Sequence, residues 1–300
     1  MQLFRGGVSD WQLHLNALAS IVQSLDPRVL HPDHDVEESL QRQYPSSALR
    51  PERAAVPFLV AVVLWFDLLS CASTGTSPRL AYETILHDYD INLEDVVGCQ
   101  NWAMGAIGDL AALDVWKKQT LLRDDFSNQE LLARSQNIRE RLEEGLASLE
   151  SKSGLSSTPG DAQHSTLGNH SLVYKVTRVF ASAALVQLHT IVHGAFPNHP
   201  DIQLAIKTVI NALEQVSDHQ DMRGLVWPIC ISGCMAEASQ QSIFENLILR
   251  VVSESLQDFG NSTTALLIMQ KCWKLRLSDP DEQWNWQSTM AVMGICGLLV

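Results

Sequence analysis

Apolar residues recur along most of this chain at spacings of three and four, the period of one face of a helix. Trp11, Leu15, Leu18, Val22 and Leu25 form the first such stripe, behind Ser9-Asp10, which reads as a helix cap. Residues 56 to 73 are apolar nearly all round, as expected of a helix at the centre of a bundle. A third helical region, 92 to 118, carries Trp102, Ile107, Leu110, Leu113 and Trp116. Ser127-Asn-Gln-Glu130 has the spacing of a capping box, in which each side chain serves an orphan amide. The helix it opens sets Leu131, Ile138, Leu142, Leu146 and Leu149 on one face and turns Arg139, Glu140, Glu143 and Glu144 mostly outward.

Residues 150 to 171 are rich in Ser, Gly and Thr, break the period and predict a flexible loop. Periodicity resumes from Leu172 to His193, and Asp201 reads as the cap of a helix carrying Ile202, Ile206, Val209, Leu213 and Val216. Later helices are expected at 237–257, 262–276 and 286–298. Strand-like alternation is weak, and no fixed repeat is present. The pattern predicts an all-α array of roughly eight to ten helices. The apolar faces on either side of the 150–171 loop are each incomplete as bundles, so one domain over residues 1–300 is expected.

Composition narrows the class. Hydrophobic residues make up 46% and charged residues 18%, an ordinary globular balance. The formal net charge of −13 disfavours contact with phosphate backbones. The nearest basic groupings, Lys117-Lys118 and Lys271 to Arg276, are short, so no direct nucleic-acid binding by this chain is expected. The six cysteines, at 71, 99, 230, 234, 272 and 296, mostly stand in apolar stretches, the usage of reduced thiols packed as small hydrophobes. The N-terminus lacks the pattern of a signal peptide. The longest apolar run, Val56 to Leu69, contains Pro57 and Asp67 and falls short of the ~20 residues a bilayer span needs. A buried core helix and no membrane span are expected.

Few residues offer chemistry. His189 and His193 stand four apart and share a helix face, as in metal sites, but Thr190 occupies the position of a metalloprotease glutamate and no third ligand adjoins them, although His199 is within reach. They are expected to be helix-end histidines making ordinary hydrogen bonds, with no metal and no cofactor. Cys230 and Cys234, flanked by Ile229, Ile231 and Met235, read as core. The acidic stretch from His87 to Asp95 lacks the glycine of a calcium loop and reads as a solvated loop with Asp90 or Asn92 as a cap. Asp67 is the outstanding position. A carboxylate inside an apolar helix must be paired or hydrogen-bonded, because burying it alone costs several kcal/mol. Arg79, Arg178 and the hydroxyls of Ser70, Ser73 and Thr74 are its candidate partners, either as a structural polar pin or as a ligand-sensing group. Nucleotide, phosphate-loop, nucleophile-elbow and zinc-protease motifs are absent, and Asp124-Asp125 lacks the third member of a terpene-cyclase cluster, so no enzyme activity is expected.

Two apolar signatures, Ala61 to Leu80 and Leu225 to Met235 with its Trp227-Pro228, resemble the fungal-specific transcription factor domain found behind the two-zinc, six-cysteine cluster of fungal regulators. Phe4-Arg-Gly6, Asp10-Trp11, Gly98 to Trp102, Ile107 to Lys117, Arg141 to Leu146, Thr177 to His189, Cys272-Trp273 and Trp284/Trp286 follow in the family's order. The resemblance implies an all-helical fold, nuclear placement and a regulator of transcription, often of secondary-metabolite or drug-response genes. Its implied partners are other proteins of the transcription machinery or a full-length zinc-cluster factor, with a small apolar effector and a homodimer also open. The Cys-x2-Cys-x6-Cys pattern of the cluster is absent from the sequence. Two readings follow: a regulatory body acting through protein contacts, or a chain whose cluster is encoded upstream. A third is a small-molecule-binding protein or biosynthetic enzyme on the same scaffold, with Trp65, Phe66, Trp102 and Trp227 around a pocket.

Overall fold

The computed structural model describes residues 10–26, 50–89, 91–155, 166–216, 219–253 and 261–300. Among them there is no strand, and eleven helices have seven residues or more, slightly more than the pattern predicts. In chain order the elements are α1 (Trp11–Ser24), α2 (Arg50–Thr74), α3 (Tyr82–Asp88), the single turn α4 (Glu94–Val97), α5 (Asn101–Arg123), α6 (Asn128–Leu155), α7 (Thr166–His193), α8 (Pro200–Glu214), the single turn α9 (His219–Met222), α10 (Val226–Cys234), α11 (Ala238–Ser253), α12 (Ser262–Ser278) and α13 (Trp286–Met293).

The core is built around α7. Every residue from Val179 to Leu188 is buried. The small side chains Ala181, Ser182, Ala183 and Ala184 let α5, α6, α8 and α10 approach α7 together. On one side α5 carries α2, which in turn carries α1. On the other, α10 is buried along its whole length and packs against α7, α11, α12 and α13. Pro228 is accommodated there because it sits in the first turn, where its missing N–H breaks no helical bond. Trp227 stacks on Phe180 at 6.0 Å, joining α10 to α7.

Several boundaries correct the sequence reading. The predicted loop at 150–171 is helix at both ends: α6 continues to Leu155 and α7 begins at Thr166, with 156–165 outside the described residues. Ser151 returns its hydroxyl to the Ala147 carbonyl at 2.9 Å, which lets it sit in a helix despite its turn propensity. The 92–118 region splits at Gly98, whose φ of +69° turns the chain between α4 and α5. Glu130 donates its amide to Ser127 Oγ at 3.4 Å, but its carboxylate turns to Arg134 at 2.7 Å, so only half of the expected box forms. A reciprocal box stands instead at Asn285 and Ser288, opening α13. Asp10 begins α1 with a left-handed backbone and no side-chain cap. The last helix stops at Met293, and the tail returns to the body, where Leu298 and Leu299 are buried and Trp11 Nε1 donates to the Cys296 carbonyl at 2.8 Å. Phe4-Arg-Gly6 lies outside the described residues.

Within α2, Ala55–Thr74 is long and apolar enough, by length and composition alone, to cross a membrane, which corrects the shorter run read from the sequence. In this fold 61% of its most apolar window is buried inside the protein, the signature of a core helix.

Candidate functional site

Asp67 is the buried carboxylate that the sequence singles out, and it is completely enclosed, with 0% exposure. Its Oδ1 receives Arg79 Nη1 at 2.9 Å, and its Oδ2 receives the backbone amides of Arg79 and Leu80 at 2.8 and 2.9 Å. The segment leaving α2 therefore folds back over its own helix. Charge-assisted bonds of this kind are about twice as strong as neutral ones. Arg79 Nε donates to Asn16 Oδ1 at 2.6 Å, and the Arg79 carbonyl accepts from Gln23 Nε2 at 2.7 Å, so α1 is tied to the same node. The hydroxyls of Ser70, Ser73 and Thr74 serve backbone carbonyls of α2 rather than the carboxylate. Arg178 lies elsewhere: it pairs with Glu150 of α6 at 3.0 Å. The structure thus unites Asp67 with Arg79 and separates both from Arg178.

Among the described residues, three cavities open beside α5, α6 and α7, and none of these is lined by Asp67. The first, about 430 Å³, lies among α3, α5 and α6 and is walled by Tyr82, Leu86, Trp102, Asp109 and Arg141. Tyr82 donates its hydroxyl to Asp109 Oδ1 at 2.5 Å, and Arg141 pairs with the other oxygen. Burial pushes the Tyr82 hydroxyl up to about 12. The second, about 180 Å³, is lined by Asp114, Lys117, Lys118 and Gln287 beside Leu121 and Trp286. There Lys118 Nζ bridges Asp114 and Gln287, each at 2.8 Å. Lys117 donates to the Ile191 carbonyl, and burial lowers the pKa of its amine.

The third, about 310 Å³, adjoins the end of α7 and includes Ser135, Gln136, Arg139, His189, His193 and Asp201 in its lining. His189 and His193 lie one helical turn apart with ring centroids 5.8 Å apart, and His199 stacks on His193 at 4.0 Å. His193 Nε2 is 3.2 Å from Asp201 Oδ2. His199 is the N-cap of α8, its Nδ1 accepting the Asp201 amide at 3.3 Å, so Asp201 stands inside the first turn rather than at the cap the sequence assigned it. Burial pushes His189 down to about 4, against the opposing charge of Asp201, and lowers His193 as well.

The remaining candidates resolve simply. All six thiols are free, and five, including Cys230 and Cys234, are buried in the core. Asn92 accepts the Glu94 amide at 3.3 Å, and Asp90 lies outside the described residues. Of the four aromatics expected around a pocket, Trp102 lines a described cavity, Trp227 is fully buried, and Trp65 stacks on Phe66 at 4.9 Å. Sequence reasoning missed the Tyr82–Asp109–Arg141 group, whose members are 27 and 32 residues apart. It also missed Asp201 as a neighbour of the histidines, which Asp201's place eight residues beyond His193 could have suggested.

The fungal specific transcription factor domain matches residues 1–296, and the chain is a member of that family, as its apolar signatures implied. It is 30% identical to Transcription factor dibT of Pestalotiopsis microspora over 97% of this chain and 50% of that protein. It is 29% identical to the Trichothecene biosynthesis transcription regulator TRI10 of Trichoderma arundinaceum, over 92% of this chain and 65% of that protein. With the ustiloxin B cluster transcription factor ustR of Aspergillus flavus it shares 27% identity over 96% of this chain and 51% of that protein. The chain thus spans 50% to 65% of the length of these curated relatives. No solved structure matches it.

Proposed function

We propose that this protein regulates transcription of a secondary-metabolite gene cluster and that the chain described is its helical regulatory body, a single domain acting through contacts with other proteins. The observation that carries the proposal is the family match across residues 1–296, joined to relatives named as regulators of trichothecene and ustiloxin B genes. The net charge of −13 supports a role that does not grip nucleic acid through this domain. Its partners are proteins of the transcription machinery or a zinc-cluster factor, and it works in the nucleus. Family membership argues against catalysis by the domain. The buried Asp67–Arg79 pair is a structural pin in this reading, since no described cavity reaches it. Deleting the gene and measuring transcripts of its genomic neighbours tests the proposal. Coordinate loss of those transcripts supports it, and unchanged transcripts overturn it.

One observation favours an added sensing role. The 430 Å³ cavity combines the apolar faces of Trp102 and Leu86 with the polar ends of Tyr82, Asp109 and Arg141, the composition of a small-molecule site. A thermal-shift screen against metabolites of the regulated pathway checks it, because a ligand selective for the folded state raises the apparent stability.

A further inference from the structure

We infer that His189, His193 and Asp201 form a binding site for a divalent transition-metal ion of the zinc, cobalt and nickel class, at the junction of α7 and α8. The two imidazoles project from one face of α7 because they are four residues apart. Gly194, with φ of +90°, ends that helix, and the chain turns to start α8 at Pro200, bringing Asp201 onto the same spot. One ligand atom from each of the three residues lies within 4.8 Å of the other two.

The distances fit an ion after a small closure. Two ligands bound at about 2.0–2.2 Å in tetrahedral geometry are roughly 3.4 Å apart. His193 Nε2 and Asp201 Oδ2, at 3.2 Å, already meet that separation. The other separations, all within 4.8 Å, close by modest rotation of the three side chains. Two nitrogens and one carboxylate oxygen suit zinc and its neighbours, whereas calcium and magnesium favour oxygen cages. Three protein ligands leave a coordination position facing the adjoining cavity, where water completes the shell.

The surroundings hold the ligands in place. His199 stacks on the His193 ring and fixes the Asp201 backbone through its cap bond, which makes it a positioning residue. Arg139 is the opposing feature, a cation on the cavity wall. Gln136 accepts one of its N–H groups, and the Glu143 carboxylate stands 4.0 Å from its Nε, which softens the repulsion. The histidine pair alone does not define the site. The carboxylate that completes it comes from the next helix, which is why the sequence offered no third ligand beside the pair.

The test uses the full 300-residue chain, stripped with a chelator and titrated with cobalt(II) and, separately, zinc(II). One equivalent of cobalt is expected to give a visible ligand-field spectrum without a thiolate-to-metal charge-transfer band, and zinc is expected to raise the unfolding temperature. His193→Asn and Asp201→Asn are each expected to weaken binding by more than ~10-fold, since each removes a direct ligand. Both side chains are partly exposed, and metal-free unfolding of each variant reports whether it folds; if one fails, the other decides. Absence of binding at millimolar metal, undiminished affinity in the folded variants, or a thiolate band placing the ion on cysteines would each overturn the inference. Because the readouts are a spectrum and an unfolding temperature, they are independent of any effect on transcription.

Discussion

Asp67 and Arg79 stand 12 residues apart and meet twice, guanidinium to one carboxylate oxygen at 2.9 Å and backbone amide to the other at 2.8 Å. The pairing closes the chain leaving α2 into a loop whose outer side holds α1. Removing one member of such a buried pair strands the other charge, and two amides with it, at a cost of about 3–5 kcal/mol. Asp67→Ala is therefore expected to lower stability to urea by that order and to loosen α1 first. Arg178→Ala is the contrast. Its partner Glu150 has a side chain 61% exposed, so that pair is worth about 0–1 kcal/mol. Equal losses in the two variants, read from urea midpoints, would remove the distinction between them.

The contrast shows how far the sequence could lead. A carboxylate inside an apolar run demands a cation, so Asp67 was legible as a paired group from Ala61 to Leu69 alone. Which arginine answers it was not, because Arg79 and Arg178 are equally charged and only the fold-back after Gly75 decides between them. The core helix α2 was legible because its apolar character extends beyond one face, and α7 because its period runs from Leu172 to His193; α10, nine residues long, is too short to show a period. The ends were harder. Ser151 has turn chemistry yet satisfies its hydroxyl within α6, and His199-Pro200-Asp201 offers two residues able to cap one helix. The Tyr82–Asp109–Arg141 group left no mark, since groups from three helices share no local period.

Thiol reactivity gives a second prediction. Five cysteines are buried, and only Cys296 is partly exposed. Burial pushes the Cys71 thiol up to about 11 and raises Cys99 and Cys296, and the hydrogen bond with Cys234, together with burial, raises Cys272, so little thiolate exists at neutral pH. Under native conditions a disulfide reagent is expected to modify Cys296 alone, and more slowly than a free thiol. All six should react after unfolding. Rapid native labelling of two or more would contradict the packing around α10 and α12. Cys296→Ala should abolish the native reaction.

The same burial sets a pH dependence. Unfolded, the Cys71 thiol loses its proton near the ordinary 9.0; folded, it holds it to about 11. Above about pH 9 the unfolded state therefore binds fewer protons than the native state, and stability falls as pH rises. Below 9.0 both states are protonated and the contribution is complete. Tyr82 acts with the same sign between 10.0 and about 12. Urea midpoints are expected to decline from pH 9 towards 12, and Cys71→Ala should remove part of the decline between about pH 9 and 11, the other raised thiols keeping the rest. A midpoint that rises through this window would reverse the assignment.

The last prediction concerns α10, through which the two halves of the core meet. Trp227 is completely buried and stacks on Phe180 of α7, while Trp273 of α12 donates its Nε1 to the Gly233 carbonyl at 2.8 Å. One tryptophan belongs to this short helix and ties it to α7 by area; the other reaches it from α12 by a directed bond. Trp227→Ala empties the centre of that contact and is expected to cost about 3–5 kcal/mol, the range for deleting a large buried ring. Trp273→Phe keeps most of the ring volume but removes one of the bonds to the Gly233 carbonyl, which still accepts the Ala236 amide at 3.2 Å, a loss of about 0.5–1.5 kcal/mol. The difference has a consequence for cooperativity. If α10 joins the α1–α8 side to the α11–α13 side, Trp227→Ala should split a single urea transition into two, with α11–α13 unfolding first, while Trp273→Phe should shift the midpoint and leave the slope intact. Hydrogen exchange of α12 amides, measured in both variants, distinguishes the outcomes; one undivided transition in Trp227→Ala would show that the halves are held together elsewhere, as by the α2–α13 contact.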